Sequence, residues 1–463
     1  MLRKLTKPSL RQLDSLTREP DPKLRLGPPI ALTAVGIVLL AVLVGYFARP
    51  ASETRSTHQV GSRPAGSGQV HGRDTLSIAI RQAQNRLHDA PTDKVTWAGL
   101  GSAYLQQARI TGDPTYYPKA EGALQRSLAL DPANNWQAMT ALGALANARH
   151  DFTQALGWAR RAAAVNPGEV TVYAVMDEAL TQLGDYPAAT TANREMLELQ
   201  PGITAFTRAS THFEQHGDPA SARKNLLRAL ALATEPTEVA LCRYNLGELA
   251  FHQGNPKAAF GQYQLGLDVD PSSVSLLAGR AKAEVALGRK GAALHDYAAV
   301  IKRSPRPHYI LENAELLLSL GRDNQAEQQF TLLAAKQTLQ VSNGVVDDLL
   351  AATVEADHGS ATAAVRHAEA EWARRKSVLV ADALGWALHR AGRDHEALGY
   401  ATRANRLGWR NAAFSYHLGM IELALGRQAE ARRDLGAALK INPYFSVLQA
   451  PVARMALTAA KDG

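Results

Sequence analysis

The sequence predicts an all-α protein: a right-handed α-solenoid of about ten helical hairpins, preceded by one membrane-spanning helix. A phrase near the middle, VALGRKGAALHDYAAVIKRSP, returns near the end as LALGRQAEARRDLGAALKINP. Only 6% of residues are aromatic, and a chain that relies on Ala and Leu favours helix over strand. An uncharged apolar stretch of membrane-spanning length occupies residues 30–48.

Glycine and proline mark the ends of the predicted helices in each repeat. Glycine can take the left-handed conformation that ends a helix, and proline stops a helix because it lacks the N–H that continues it. Prolines recur every 34 or 35 residues, at Pro132, Pro167, Pro201, Pro236, Pro271 and Pro305. Glycines recur every 33 to 38 residues, at Gly184, Gly217, Gly254, Gly288, Gly321, Gly359, Gly392 and Gly426. The chain is therefore predicted to alternate helix, glycine turn, helix and proline turn.

Small and large apolar residues occupy fixed slots within each repeat. The clearest examples are Trp97, Leu100, Gly101, Tyr104, Ala120, Leu124, Ser127 and Pro132, then Leu246, Gly247, Gly254, Ala259, Tyr263, Gly266 and Pro271, then Gly419, Gly426, Ala431, Leu435, Ala438 and Pro443. This 34-residue pattern resembles the tetratricopeptide repeat (TPR) family from about Lys94 to Pro443. More narrowly, the chain resembles a bacterial group whose arrays end in a phrase like INPYFSVL and a short final helix.

A single hairpin cannot bury its apolar face alone, so each is predicted to stack on the next. We expect the hairpins to stand in single file, with distant segments apart, and to wind into a superhelix with a concave inner face. Capping helices are predicted at the two ends, one marked by Leu76, Ile80 and Leu87 and one from Tyr444 to about Lys461. An insertion at residues 108–118 predicts a longer turn in the first unit.

The segments before the array predict a membrane anchor. Residues 1–29 form a basic tail, residues 30–48 a transmembrane helix, residues 49–73 a Ser/Gly/Pro-rich flexible linker, and residues 74–463 the capped solenoid. A cleaved signal peptide is the alternative, but a preceding region of 29 residues is too long for one. Lys and Arg counted over the whole tail favour a cytoplasmic N-terminus, which would place the solenoid outside the cytoplasm.

The net charge of +8 does not indicate nucleic-acid binding. Most of the excess lies before residue 74, and the remainder carries 40 basic and 39 acidic residues. Binding to a phosphate backbone needs a concentrated basic face, so we expect no nucleic-acid partner. The single cysteine, Cys242, is predicted to be a small buried apolar residue.

Sequence motifs for catalysis are missing, and we expect neither an enzyme nor a cofactor. His212 and His216 are spaced as two metal ligands on one helix face could be, but a wet polar stretch explains them better. The neighbouring acids Asp347 and Asp348 are interpreted as a solvated turn or helix start rather than an acid–base pair.

The TPR resemblance implies that the first helix of each hairpin lines the concave face. The predicted partner-binding residues are Thr140, Asn147, Glu178, Thr211, Tyr244, Glu248 and Trp386, with Ala144, Thr207, Lys282 and Glu315 beside them. Some TPR proteins clamp a partner's terminal carboxylate with Lys and Asn, but here Lys282 stands alone. This lining would suit an extended peptide or a partner helix. Tyr244 and Trp386 are the candidate exposed anchors, although Trp386 could equally pack between helices.

These features predict a membrane-tethered, non-catalytic scaffold that binds a protein or peptide in its groove. One alternative is an accessory subunit of an envelope polysaccharide or secretion enzyme complex. Another is the same scaffold facing the cytoplasm.

Overall fold

The structure is a computed structural model, and it describes residues 71–462, with side chains from residue 75 to residue 459. This range forms 22 α-helices and one short 3-10 turn, and it contains no strand. No helix within it has the length and apolarity needed to cross a bilayer. The predicted tail, transmembrane helix 30–48 and nearly all of the linker lie outside the described residues.

The helices pair into ten hairpins between two caps. The caps are α1 (His71–Asp89) and α22 (Gln449–Asp462). The first helices of the hairpins are α2 (Lys94–Thr111), α4 (Trp136–Ala148), α6 (Val170–Leu183), α8 (Ile203–Gln215), α10 (Pro236–His252), α12 (Val274–Ala286), α14 (Pro307–Ser319), α16 (Asp348–His358), α18 (Val378–Arg390) and α20 (Ala412–Ala424). The second helices are α3 (Tyr116–Leu130), α5 (Phe152–Val165), α7 (Tyr186–Leu199), α9 (Pro219–Leu232), α11 (Pro256–Val269), α13 (Lys290–Arg303), α15 (Asp323–Ser342), α17 (Ala361–Arg374), α19 (Asp394–Ala404) and α21 (Gln428–Ile441). The prediction of about ten units with a cap at each end is confirmed.

The predicted turn residues end the helices as expected, with three exceptions. Seven of the eight glycines have φ between +67° and +85°, the left-handed region that favours glycine. Gly359 was predicted to do the same, but its φ is −135°. Between α4 and α5 the left-handed position belongs to His150, with φ of +64°. Pro236 does not stop the preceding helix but begins α10, where its missing N–H has no helical partner to lose.

The insertion in the first hairpin lengthens a helix as well as a turn. Helix α2 runs for 18 residues to Thr111 and ends in a left-handed cap at Gly112. The first helices of the next three hairpins have only 13 or 14 residues. The extra turn of helix places Gly112 beside a distant part of the chain.

Close packing between neighbouring hairpins depends on small residues that face large ones. Tyr263 is fully buried between α10 and α12. An ideal Cβ on Gly247 would lie 2.3 Å from its ring, and one on Gly279 would lie 2.5 Å from it. Only glycine therefore lets the two inner helices approach this ring, which explains the repeated small-residue slots.

The hairpins do not stand in single file with distant segments apart, so that expectation was wrong. The turn inside each of hairpins 1 to 5 contacts the turn that ends the hairpin five places further along the chain. These five contacts form a continuous line, which we call the seam. It joins Gly112 to Ser304 and Arg306, Arg149 to Asn343 and Val346, Leu183 and Gly184 to Lys376, Gly217 to Gly408, and Phe251 and Gly254 to Ile441 and Asn442.

Backbone groups and a few side chains make the seam. The N–H of Val346 donates to the carbonyl of Arg149, and that of Lys376 to the carbonyl of Leu183, both at 3.2 Å. The amide of Asn442 donates to the carbonyl of Phe251 at 2.9 Å. One turn of the superhelix thus contains five and a half hairpins, and successive turns touch.

Tyr186 is a buried aromatic residue at the seam. It is buried with Val378, Ala381, Ala404 and Phe414, and its hydroxyl accepts a hydrogen bond from the N–H of Val378 at 2.9 Å. The hydrophobic contribution to the seam is therefore concentrated at one place, and the remaining contacts are mostly polar.

Candidate partner-binding groove

The first helices line the inside of the superhelix. First helices of neighbouring hairpins contact one another directly in addition to their own second helices, as expected for the concave side of a solenoid. We call the surface formed by these helices the inner wall. Polar side chains on it repeatedly join one first helix to the next.

Glu248 and Lys282 form the most connected pair on the inner wall. The Lys282 Nζ lies 2.6 Å from Glu248 Oε2, and the Tyr263 hydroxyl donates to Glu248 Oε1 at 2.6 Å. Lys282, which the sequence offered no Lys or Asn cluster to join, is thus the ion-pair partner of a predicted groove residue. Both carboxylate oxygens are therefore used inside the protein, which leaves little of this ion pair for a partner in the present conformation.

Glu178 also has an internal cation. It forms an ion pair with Arg208 of the next first helix, and it accepts a hydrogen bond from Gln182. Arg208 lies 3.6 Å from Asp177 as well. Charge complementarity thus links α6 to α8, and sequence analysis did not single out the arginine that makes this link.

The predicted hydroxyl and amide residues bond mainly to nearby backbone. The hydroxyls of Thr140 and Thr211 donate to carbonyls in their own helices, at Trp136 and Thr207. Asn147 donates across to the carbonyl of Val175 at 3.1 Å. Thr211 remains exposed on the inner wall, whereas Thr140 is buried.

Trp386 is not the exposed anchor that one reading of the sequence predicted. Only 4% of it is exposed. Its indole N–H donates to Asp357 at 2.8 Å, and its ring stacks on His417 at 4.2 Å between centroids. The alternative prediction, packing between helices, is correct. Tyr244 is half-buried and leans on Tyr263, with 6.3 Å between ring centroids.

Histidine–carboxylate pairs between successive first helices were missed by sequence reasoning. Each acid precedes its histidine by about one repeat, and that spacing is the signal that could have found them. The pairs are Asp177–His212 at 2.6 Å, Glu214–His252 at 2.7 Å, Glu315–His358 at 3.1 Å and Asp382–His417 at 2.9 Å.

The interpretation of His212 and His216 as a wet polar stretch is wrong for His212, which is only 1% exposed. His212 turns inward to Asp177, while the His216 ring lies 2.7 Å from the His212 carbonyl oxygen. Among the described side chains, no group of three or more His, Cys, Asp or Glu could hold a metal ion. Asp347 caps the start of α16 by accepting from the Leu350 N–H, so the helix-start interpretation of that acid is confirmed.

The inner wall is polar but poorly hydrated. Desolvation, together with the nearby Glu248 and Glu315, raises the pKa of Glu312 to about 7, although Lys282 partly opposes the shift. Desolvation lowers the pKa of His252, but the hydrogen bond to Glu214 and the negative charges of Glu214 and Glu248 together leave the pKa raised. The side chains of His252 and Lys282 nevertheless remain 42% and 24% exposed. These side chains therefore touch water and are still desolvated by the helices around them.

Two segments of the chain match family models of the tetratricopeptide repeat, at residues 207–273 and 412–445. The first covers hairpins 4 and 5, and the second covers hairpin 10. The hairpin array is thus a helical-repeat solenoid. The chain therefore carries tetratricopeptide repeats at these residues, and the other hairpins share their two-helix architecture.

Solved structures of TPR proteins are similar at low identity. A tetratricopeptide repeat protein from Parabacteroides merdae is 20% identical, over 56% of this chain and 98% of that one, with a TM-score of 0.35. TTC0263 of Thermus thermophilus is 21% identical, over 42% and 98%, with a TM-score of 0.36. Human IFIT1, solved as a dimer with PPP-AAAA, is 15% identical, over 80% and 88%, with a TM-score of 0.44. No curated protein sequence matches this chain.

Proposed function

We propose that this protein is a membrane-tethered TPR scaffold that holds a protein or peptide partner against its inner wall, without a reaction of its own. The observation that carries the binding role is the inner wall itself. It is a continuous polar surface built from ten equivalent helices, and repeat arrays of this kind present such surfaces to extended partners.

The membrane tether is supported by the composition of the segment before the array. Residues 30–48 carry no charge, and 19 helical residues would span about 28 Å, close to the hydrocarbon thickness of a bilayer. The linker of residues 49–73 would give the solenoid a reach of roughly 25–30 Å from the membrane. The Lys and Arg of the tail favour a solenoid on the extracytoplasmic side.

Site-specific photo-crosslinking in intact cells tests the binding role. A photoreactive residue at Thr211, exposed on the inner wall, should capture a discrete partner. The same residue at Thr402, exposed on the second helix α19, is the matched control and should not. Capture from both positions equally, or from neither, would contradict binding at the inner wall.

Protease accessibility tests the tether and its orientation. In intact spheroplasts, added protease should digest the array, and carbonate washing should leave the chain with the membrane. Protection of the array would place it in the cytoplasm, and release by carbonate would contradict the anchor.

A further inference from the structure

The seam sets how much room the inner wall encloses. At the axis spacing of closely packed helices, about 8–10 Å, five and a half first helices would form a ring of about 50 Å circumference and about 8 Å radius. A helix with its side chains has a radius of about 5–6 Å. This leaves a free radius of about 3 Å, whereas a partner helix is about 10–12 Å wide.

Side-chain contacts also indicate that the space enclosed by the inner wall is narrow. Asp357 on α16 accepts a hydrogen bond from Gln449 on α22 at 3.1 Å, across three hairpins. Asp357 also accepts from Trp386, so one carboxylate joins three inner helices. Further along, Glu248 and Lys282 are paired with each other rather than turned toward open space.

The seam can separate without unfolding a hairpin. Each hairpin keeps its own helix pair and its stacking on both neighbours, because these contacts do not involve the seam. Opening removes the hydrogen bonds between turns, such as that from Lys376 to Leu183, and the apolar contact at Tyr186. It also removes the contacts of arginine side chains across the seam, such as that of Arg375 with Gln182.

We propose that the seam is a gate: the inner wall admits a partner segment only when the two superhelical turns separate. This inference rests on the proposed function, since it names how the same groove is regulated. In the closed state the array is self-inhibited by its own turns. Opening the seam lets the superhelix unwind and widens the space enclosed by the inner wall.

Two glycines provide matched variants. An ideal Cβ on Gly217 would lie 2.4 Å from the Gly408 carbonyl oxygen, so Gly217→Ala must push the seam apart. Gly426 has a similar φ of +73°, but a Cβ there meets nothing within 4 Å. Gly426→Ala therefore reproduces the backbone strain and leaves the seam intact.

Accessibility of the inner wall can be measured without a partner. Thr211→Cys in the full chain is treated with a maleimide carried on a polyethylene glycol chain, and with N-ethylmaleimide as the small reference. The native Cys242 stays unmodified, because burial raises its thiol pKa to about 11. We expect the bulky reagent to react about tenfold faster in Gly217→Ala than in the otherwise unchanged chain, with no acceleration in Gly426→Ala.

Equal rates for both reagents in the otherwise unchanged chain would overturn the gate, as would equal acceleration by both glycine variants. A disulfide lock gives a second measurement if Gly217→Ala does not fold. The 3.2 Å backbone contact places Leu183 and Lys376 within the Cα separation of about 4.4–6.8 Å that a disulfide needs.

With Leu183→Cys and Lys376→Cys oxidised, the photo-crosslink from Thr211 should vanish, and reduction should restore it. If the locked chain still captures the partner, the gate is wrong and the proposed function stands. If no state captures one, the proposed function fails, and the maleimide rates still decide the gate.

Discussion

The same glycine turn occurs in both halves of the array, but its surroundings differ. In hairpins 3 to 5, Gly184, Gly217 and Gly254 lie against the backbone of a distant turn, and a Cβ on any of them would come within 2.8 Å of a carbonyl oxygen. In hairpins 6 and 10, Gly288 and Gly426 have equally positive φ values, and a Cβ would meet nothing within 4 Å.

This difference teaches that one residue can serve two purposes in one repeat. At each of these turns glycine provides the left-handed backbone that ends a helix. In the earlier half it also allows two backbones to touch. The first role is local and visible in the sequence, whereas the second depends on the pitch of the whole superhelix.

Adjacent hairpins offer the strongest test of that difference. Gly254→Ala combines left-handed strain with a clash against Ile441, so we expect a loss of about 3 kcal/mol in the free energy of unfolding. Gly288→Ala carries only the strain and should lose about 1–2 kcal/mol. Urea denaturation of both variants measures the difference, and equal losses would mean that the turn of hairpin 5 is as free as that of hairpin 6.

Two Asn-Pro dipeptides, one at the seam and one away from it, give a second comparison of stability. Asn442 is 3% exposed, donates across the seam to the Phe251 carbonyl and accepts from the Tyr444 N–H, so Asn442→Ala removes two hydrogen bonds and should cost about 2 kcal/mol. Asn166 ends α5 in the same sequence context, away from the seam. Asn166→Ala should cost less than about 1 kcal/mol. A larger loss for Asn166→Ala in thermal denaturation would contradict the role of the seam.

Desolvation of the inner wall leads us to expect that the stability of the protein depends on pH. The folded pKa of Glu312, about 7, lies above its ordinary value of 4.5. Between these values the folded chain binds more protons than the unfolded chain, so this group lowers stability as pH rises toward 7. Glu312→Gln should therefore stabilise the protein by about 1–2 kcal/mol at pH 8 and have little effect at pH 4.

Glu315→Gln is the control for this experiment, because Glu315 has a partner in His358 at 3.1 Å. It should show no such gain at pH 8. Urea denaturation at the two pH values measures both variants. If Glu312→Gln gains as much at pH 4 as at pH 8, Glu312 is not desolvated at the inner wall.

The smallest expected effect on the free energy of unfolding comes from removing a tyrosine hydroxyl at the seam, with a tyrosine away from the seam as the control. Tyr186→Phe removes the acceptor of the buried Val378 N–H at the seam and should cost about 1 kcal/mol. Tyr173→Phe removes an exposed bond to the Pro167 carbonyl within one hairpin and should cost less than about 0.5 kcal/mol. Comparable denaturation midpoints for the two variants would show that the seam contributes nothing there.

The local structure was predictable and the seam was not. Hairpin number, caps and turn positions follow from spacing, because each helix pair is specified by its own 34 residues. The contact of Gly217 with Gly408 depends on the sum of the small rotations between successive hairpins. That sum cannot be read from the sequence of any one repeat. Trp386 was ambiguous for a related reason, since its burial depends on how tightly α16 and α22 approach.

The side-chain pairs on the inner wall were partly predictable from the sequence. A slot comparison could have found Asp177 with His212, because acid and histidine recur one repeat apart. That comparison could not have shown that Glu178 is already neutralised by Arg208. Which long side chains on neighbouring helices form ion pairs depends on their positions in space, not on their spacing in the sequence.

Hydrogen exchange of the full chain tests the closed superhelix most directly. The N–H groups of Val346 and Lys376 lie in turns between hairpins, and they donate only to carbonyls that are nearly two hundred residues away in sequence. If successive turns touch, these amides will be protected nearly as well as the helices beside them. If they exchange as fast as free turns, the superhelix is open and the seam does not form.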